Sequence, residues 1–231
     1  MLPPSLNTRV PGNQTERLLD SLQRFRHAWP RYHRPDDLRH LLSLFPHVSL
    51  EQGYELDYLP MGGTPTVWIW PYARRAGGSE EGPPAVLSGV DRDRLSGLRR
   101  SDASRRLEVE SLYRWLSFDR SPIGLFEYAF FINELWATKS ASKASDWLEM
   151  EPIFTRRRFD EVLRRSGTHP LSVKRPDVYD PSAQLKGGTS GEVDFMALQG
   201  HAWKRIVSMR IAVENDGLCL TKVGPLIANL G

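Results

Sequence analysis

The carboxylates offer the most chemistry in this sequence. Glu127 and Glu134 stand seven residues apart inside 123–137, the most apolar stretch of the chain. Seven residues are two helical turns, so both fall on one side of a helix. A carboxylate buried there is pushed toward its neutral form and becomes a candidate general acid or base. The same spacing also fits a polar edge, with Asn133, by which a nearly buried helix reaches water. Glu192 and Asp194 form a second group, alternating with Val193 and Phe195. If the protein were an enzyme, Asp194, Glu127, Glu134 and Glu192 would carry the reaction. No catalytic set is complete, and Gly-x-Ser-x-Gly is absent. His27, His33, His40 and His47 are spaced by six, seven and seven residues, with Pro30, Pro35 and Pro46 between them. Zinc favours closer pairs on fixed elements, so no metal and no cofactor is expected. Cys219, the single cysteine, rules out an internal disulfide and reads as a small apolar side chain in a strand.

The run Gly191-Glu192-Val193-Asp194-Phe195, followed by Ile206-Val207-Ser208-Met209-Arg210, resembles the hairpin of restriction-endonuclease-like nucleases. In that family an Asp on the first strand and a Glu-x-Lys on the second gather a divalent ion and position water. The resemblance implies a metal-dependent nuclease, or an inactive relative, with Asp194 as the Asp. Ser208 stands at the Glu position and Arg210 at the Lys position, so Glu127, Glu134 or Glu192 would supply the second carboxylate. Plain alternation gives the same letters another meaning. Val193, Phe195, Ala197, Val207, Met209 and Ile211 would face a core, with Glu192, Asp194, Lys204, Ser208 and Arg210 on a wet face.

Two arginine clusters are the candidates for nucleic acid. Arg99, Arg100, Arg105 and Arg106 precede and open one expected helix, and Arg156, Arg157 and Arg158 open another. Guanidinium forks grip phosphates in pairs. Acidic residues interleave both clusters, as on a solvated helix face with local ion pairs. The 25 Arg and 6 Lys stand against 28 Asp and Glu, a net charge of +3 and a weak field for a long chain. Weak, sequence-independent binding at low salt is the expectation. A protein partner is expected to bind through Trp68, Trp70 and Tyr72, which share one face of a strand; aromatic anchors are favoured at interfaces. That face could equally be core.

These groups need elements to hold them. Helices are expected near 13–29 and 35–45, at 102–118, at 123–137 and at 155–165, where Gly167 suits a left-handed cap. Alternation predicts a hairpin over 54–72 around Gly62-Gly63, a short strand at 147–150, and a three-strand meander over 192–223 with a tight turn at 214–217. Irregular loops are expected near 73–100 and 168–190. The expected fold is α+β, one domain over 1–231, with helices on one face of a largely antiparallel sheet that joins the hairpin to the meander.

With 231 residues, 40% apolar and 26% charged, the chain is neither disordered nor a membrane bundle. The first residues show no basic-then-apolar leader, and the expectation is a cytoplasmic protein. The functional expectation is a non-enzymatic protein that binds a macromolecule, more readily a protein than nucleic acid.

Overall fold

The structure, a computed structural model, describes residues 7–28, 35–61, 68–77, 84–88, 102–137, 150–167, 173, 175–200 and 204–230. The chain begins with β1 (Asn7–Arg9), α1 (Gly12–Ala28), α2 (Pro35–Ser43), β2 (Val48–Leu50), β3 (Tyr54–Met61) and β4 (Trp68–Arg75). It continues through α3 (Asp102–Ser111), β5 (Leu116–Phe118), α4 (Pro122–Ala137), β6 (Glu151–Ile153) and α5 (Arg156–Ser166). β7 (Ser182–Gly187), β8 (Ser190–Gln199), β9 (Arg205–Val213) and β10 (Cys219–Asn229) close it. No helix among the described residues is long and apolar enough to cross a membrane.

α4 is the centre of the core. Its apolar residues surround it, and Phe126 and Phe130 pack with Phe154 and with Phe195 of β8 (Phe130 to Phe195, 5.1 Å between centroids). Leu18, Leu22 and Phe25 of α1 and Leu38 and Leu41 of α2 recur at helical spacing and join the same cluster. α5 keeps the ends its sequence announces: Thr155 accepts from the Arg158 amide, and Gly167 takes the left-handed φ of 70°.

The main sheet is antiparallel in the order β1-β7-β8-β9-β10. β6 lies end to end with β7 along the same side of β8, opposite Met196 to Leu198. Val193, Phe195, Ala197, Val207, Met209 and Ile211 face α4, as alternation requires.

The α+β class is as the sequence implies, with four differences. The hairpin β3–β4 is a two-stranded sheet of its own, in register from Tyr54 opposite Arg75 to Met61 opposite Trp68, and does not join the meander. α5 packs Phe159, Val162 and Leu163 on the other face of the main sheet, against Met196 and Ile206, whose side chains alternate away from α4. The helix expected over 102–118 ends at Ser111. Leu116 and Phe118 turn inward around an outward Ser117 and pair with β2, a period-two burial that a helix cannot give. β7 lies inside the expected 168–190 loop; only Ala183 and Leu185 mark its inner face among polar letters. The strand expected at 147–150 falls largely outside the described residues, and β6 follows it.

Candidate functional site

Asp194 lies on the outer face of β8, in a cleft of about 470 Å³ beside Arg9, Asp180 and Ser208. Both of its oxygens accept from Arg210, at 2.7 Å from Nε and 3.1 Å from Nη2. Arg210 also reaches Glu192 (3.4 Å), which Lys186 holds at 2.5 Å. The Lys186 hydrogen bond, helped by the Arg210 and Lys222 charges, keeps Glu192 below the usual carboxylate range. Lys186, Glu192, Arg210 and Asp194 thus form an ion-pair ladder, and a bidentate guanidinium occupies both Asp194 oxygens. Glu127 and Glu134 belong to α4 and face elsewhere. Among the described residues no three His, Cys, Asp or Glu side chains gather as metal ligands.

Glu127 and Glu134 are both buried, at 7% and 1% exposure, so they are not a wet edge of α4. Glu134 is gripped by Arg26 of α1 (Nε to Oε2, 3.0 Å). Glu127 accepts the His47 backbone amide at 2.8 Å, and burial pushes its carboxyl above the ordinary glutamate value. His47 in turn pairs through Nδ1 with Asp119 (2.6 Å). Burial would raise Asp119, but hydrogen bonds from Ser121 and His47 outweigh it and hold this carboxylate low. Asp119 and His47 were invisible as a pair in sequence, being seventy-two positions apart.

Trp70 and Tyr72 are interior, at 0% and 4% exposure, packed with Leu59 and Leu87. Trp70 meets Trp136 edge-on (5.5 Å) and donates to Ser111 (3.4 Å). The expected docking face of β4 is therefore covered at both residues; the side chain of Trp68 lies outside the described residues.

Arg99 and Arg100 also lie outside the described residues. Every other arginine of the two clusters is paired. Arg105 holds Glu214 and Asp216, and Arg106 holds Glu110 (2.8 Å). Arg156 faces Asp160 (3.9 Å), Arg157 holds Glu16 (2.6 Å), and Arg158 holds Glu151 (3.0 Å) and Glu161 (3.3 Å). Arg105 sits at the 214–216 turn, while α5 lies against the opposite end of β9. The fold does not merge the clusters into one groove.

A surface that the sequence reading missed is β10. It is the last strand of the main sheet, with no neighbour beyond it among the described residues. Leu220, Val223 and Leu226 are 39%, 50% and 59% exposed, three of the four large apolar side chains exposed among the described residues. Val223 stands opposite Met209 and Leu226 opposite Val207, so the core layer runs on past its helical cover to the open edge. Register shifts after Val223 and Leu226, together with Pro225, blunt the second half of the strand. Cys219 to Val223 pairs regularly with β9 and has no strand on its other side among the described residues. On the outer face a row runs Arg9, Ser182, Asp194, Arg210 and Lys222 across five strands. It ends at the edge in Lys222. In sequence, the third run of the meander rested on the alternation of Leu218 and Leu220; the register sets Leu220 opposite Ala212 on the outer face and leaves Val223 opposite Met209.

Comparison with protein-family models, with curated proteins and with solved structures gives no match.

Proposed function

We propose that this protein is a non-enzymatic interaction module that takes an extended segment of a partner protein along the free edge of β10. The observation that carries this reading is the concentration of exposed apolar side chains on one edge strand. Monomeric proteins normally blunt or cover such edges, and exposed apolar groups gathered in one place mark interaction sites. An unpaired strand asks for backbone partners, which an added strand supplies, while alternate side chains give selectivity.

The partner segment pairs with Cys219 to Val223, packs apolar residues on Val223 and Leu226, and sets an acidic residue beside Lys222. Lys222 makes no ion pair with a described residue, and its neighbour in the row is the cation Arg210. Two copies paired edge to edge about Thr221 would place Lys222 diagonal to its own twin, a like-charge contact. The charge pattern therefore favours a different, acidic chain.

Selection of a phage-displayed peptide library on the intact protein tests the reading. Enriched peptides should alternate apolar residues, carry an acid, and slow hydrogen exchange of the β10 amides. Val223→Glu with Leu226→Glu should abolish binding with the melting temperature kept. Peptides that bind this double variant as well as the parent, or no enrichment at all, would overturn the proposal.

A further inference from the structure

A second groove, unconnected with the β10 reading, lies between α1, α4 and the 44–47 segment. α1 contributes Gln14, Arg17, Leu18 and Ser21, spaced as one helical stripe, and α4 contributes Ile123, Phe126 and Glu127. Its volume is about 280 Å³. Ligand pockets for drug-sized molecules run from roughly 300 to 1,000 Å³, so this one suits something smaller than a nucleotide.

Its chemistry is divided by depth. Glu127 is buried at the bottom, where Oε2 takes the His47 amide and Oε1 has no donor among the described residues. Arg17 is exposed at the mouth and makes no ion pair with a described residue. His47 also lines the groove, with Nδ1 committed to Asp119. Leu18, Leu44 and Ile123 give the groove its apolar lining, with Phe126 fully buried behind them.

We infer that this groove binds a free α-amino acid with a branched apolar side chain. The ammonium group meets Glu127 Oε1, the carboxylate meets Arg17, and the side chain lies on Leu18, Leu44 and Ile123. A plain amine would satisfy Glu127 yet face Arg17 unscreened, and a plain carboxylate would face Glu127. A zwitterion complements both charges at once.

Titration with L-leucine, followed by amide chemical shifts, decides the matter. Leucine should perturb residues of α1, α4 and 44–47. Isoamylamine, which lacks the carboxylate, and 4-methylpentanoate, which lacks the amine, should each bind at least about tenfold more weakly, the worth of one charged hydrogen bond. Glu127→Gln keeps the shape and the acceptor for His47, and Arg17→Ala alters only an exposed side chain. Each should cost about tenfold in leucine affinity. No leucine binding at millimolar concentration, or equal binding to both variants, would overturn the assignment. So would isoamylamine binding as tightly as leucine.

Discussion

The Tyr128 hydroxyl donates a 3.0 Å hydrogen bond to the Gly217 carbonyl, which ties the central helix to the turn that launches β10. Gly217 has a φ of +84°, and a Cβ there would stand 2.5 Å from that hydroxyl. The contact demands glycine twice, for its backbone and for its lack of a side chain. Gly217→Ala should therefore destabilise the protein by about 1–3 kcal/mol, measured by urea unfolding. Tyr128→Phe, which removes only the hydrogen bond, should cost about 1 kcal/mol. An alanine variant as stable as the parent would refute this account of the turn.

Trp70 and Leu226 differ in burial, and so should their variants. Trp70→Ala opens a cavity beside Trp136 and should cost about 3–5 kcal/mol. Leu226→Ala, at an exposed site, should change stability by no more than about 0.5 kcal/mol. Thermal unfolding of both variants checks this; a mild Trp70→Ala would return that face of β4 to the candidate docking surfaces.

Glu127 and Asp119 should set opposite pH dependences. Glu127 is held above its ordinary value by burial, with His47 and Asp119 acting on its charge and Arg17 at the groove mouth. Its contribution to stability is present below the unfolded glutamate pKa and is lost as pH rises through the higher folded value. Glu127→Gln should therefore gain on the parent as pH rises above the glutamate range. Asp119, held low, contributes stability above the unfolded aspartate pKa and loses it as pH falls through the folded value. Asp119→Asn should be the weaker protein at neutral pH and converge with the parent in acid. Melting temperatures across an acid-to-neutral series test both signs.

Arg210 fills both oxygens of Asp194, so added Mn²⁺ or Mg²⁺ should leave the melting temperature unchanged. A rise with Mn²⁺ that disappears in Asp194→Asn would revive the nuclease reading. Arg210→Ala, which breaks a half-exposed pair, should cost only about 0–1 kcal/mol.

The ion pairs of Arg105, Arg106 and Arg156 to Arg158 predict weak nucleic-acid binding. Any affinity for single- or double-stranded DNA should be seen only at low salt and should fade between about 50 and 200 mM, as counterion release requires. Sub-micromolar binding at physiological salt, lost on reversing Arg105 and Arg106, would displace the protein-partner reading.

Periodicity carried the helices and the inner face of the meander, because each is written in many apolar letters: Phe126, Phe130 and Leu135 in α4, Val207, Met209 and Ile211 in β9. Thr155 and Gly167 marked both ends of α5. β5, β6 and β7 escaped because a three-residue strand, or one with two inner residues, has too few letters to set a period. The separation of β3–β4 from the main sheet was hidden for another reason: pairing between distant strands leaves no local mark. The candidate sites were the least legible. Glu127 was visible as a carboxylate on an apolar helix, but its link to Asp119 passes through His47, a segment seventy-two or more positions away from both. Exposure of Leu226 depends on what fails to cover it, which no run of neighbours records.

Among the described residues the main sheet has one long edge, at β10, and short three-residue strands, β1 and β6, on its other side. β10 runs for eleven residues and β1 for three. A sheet receptive on both sides polymerises, because each added chain offers the edge the next one needs. A strand added at β10, as proposed, would find no equally long landing at β1 or β6 among the described residues. On the proposed reading the molecule would have a valence of one, so titration with a bound peptide should saturate at a single segment per chain.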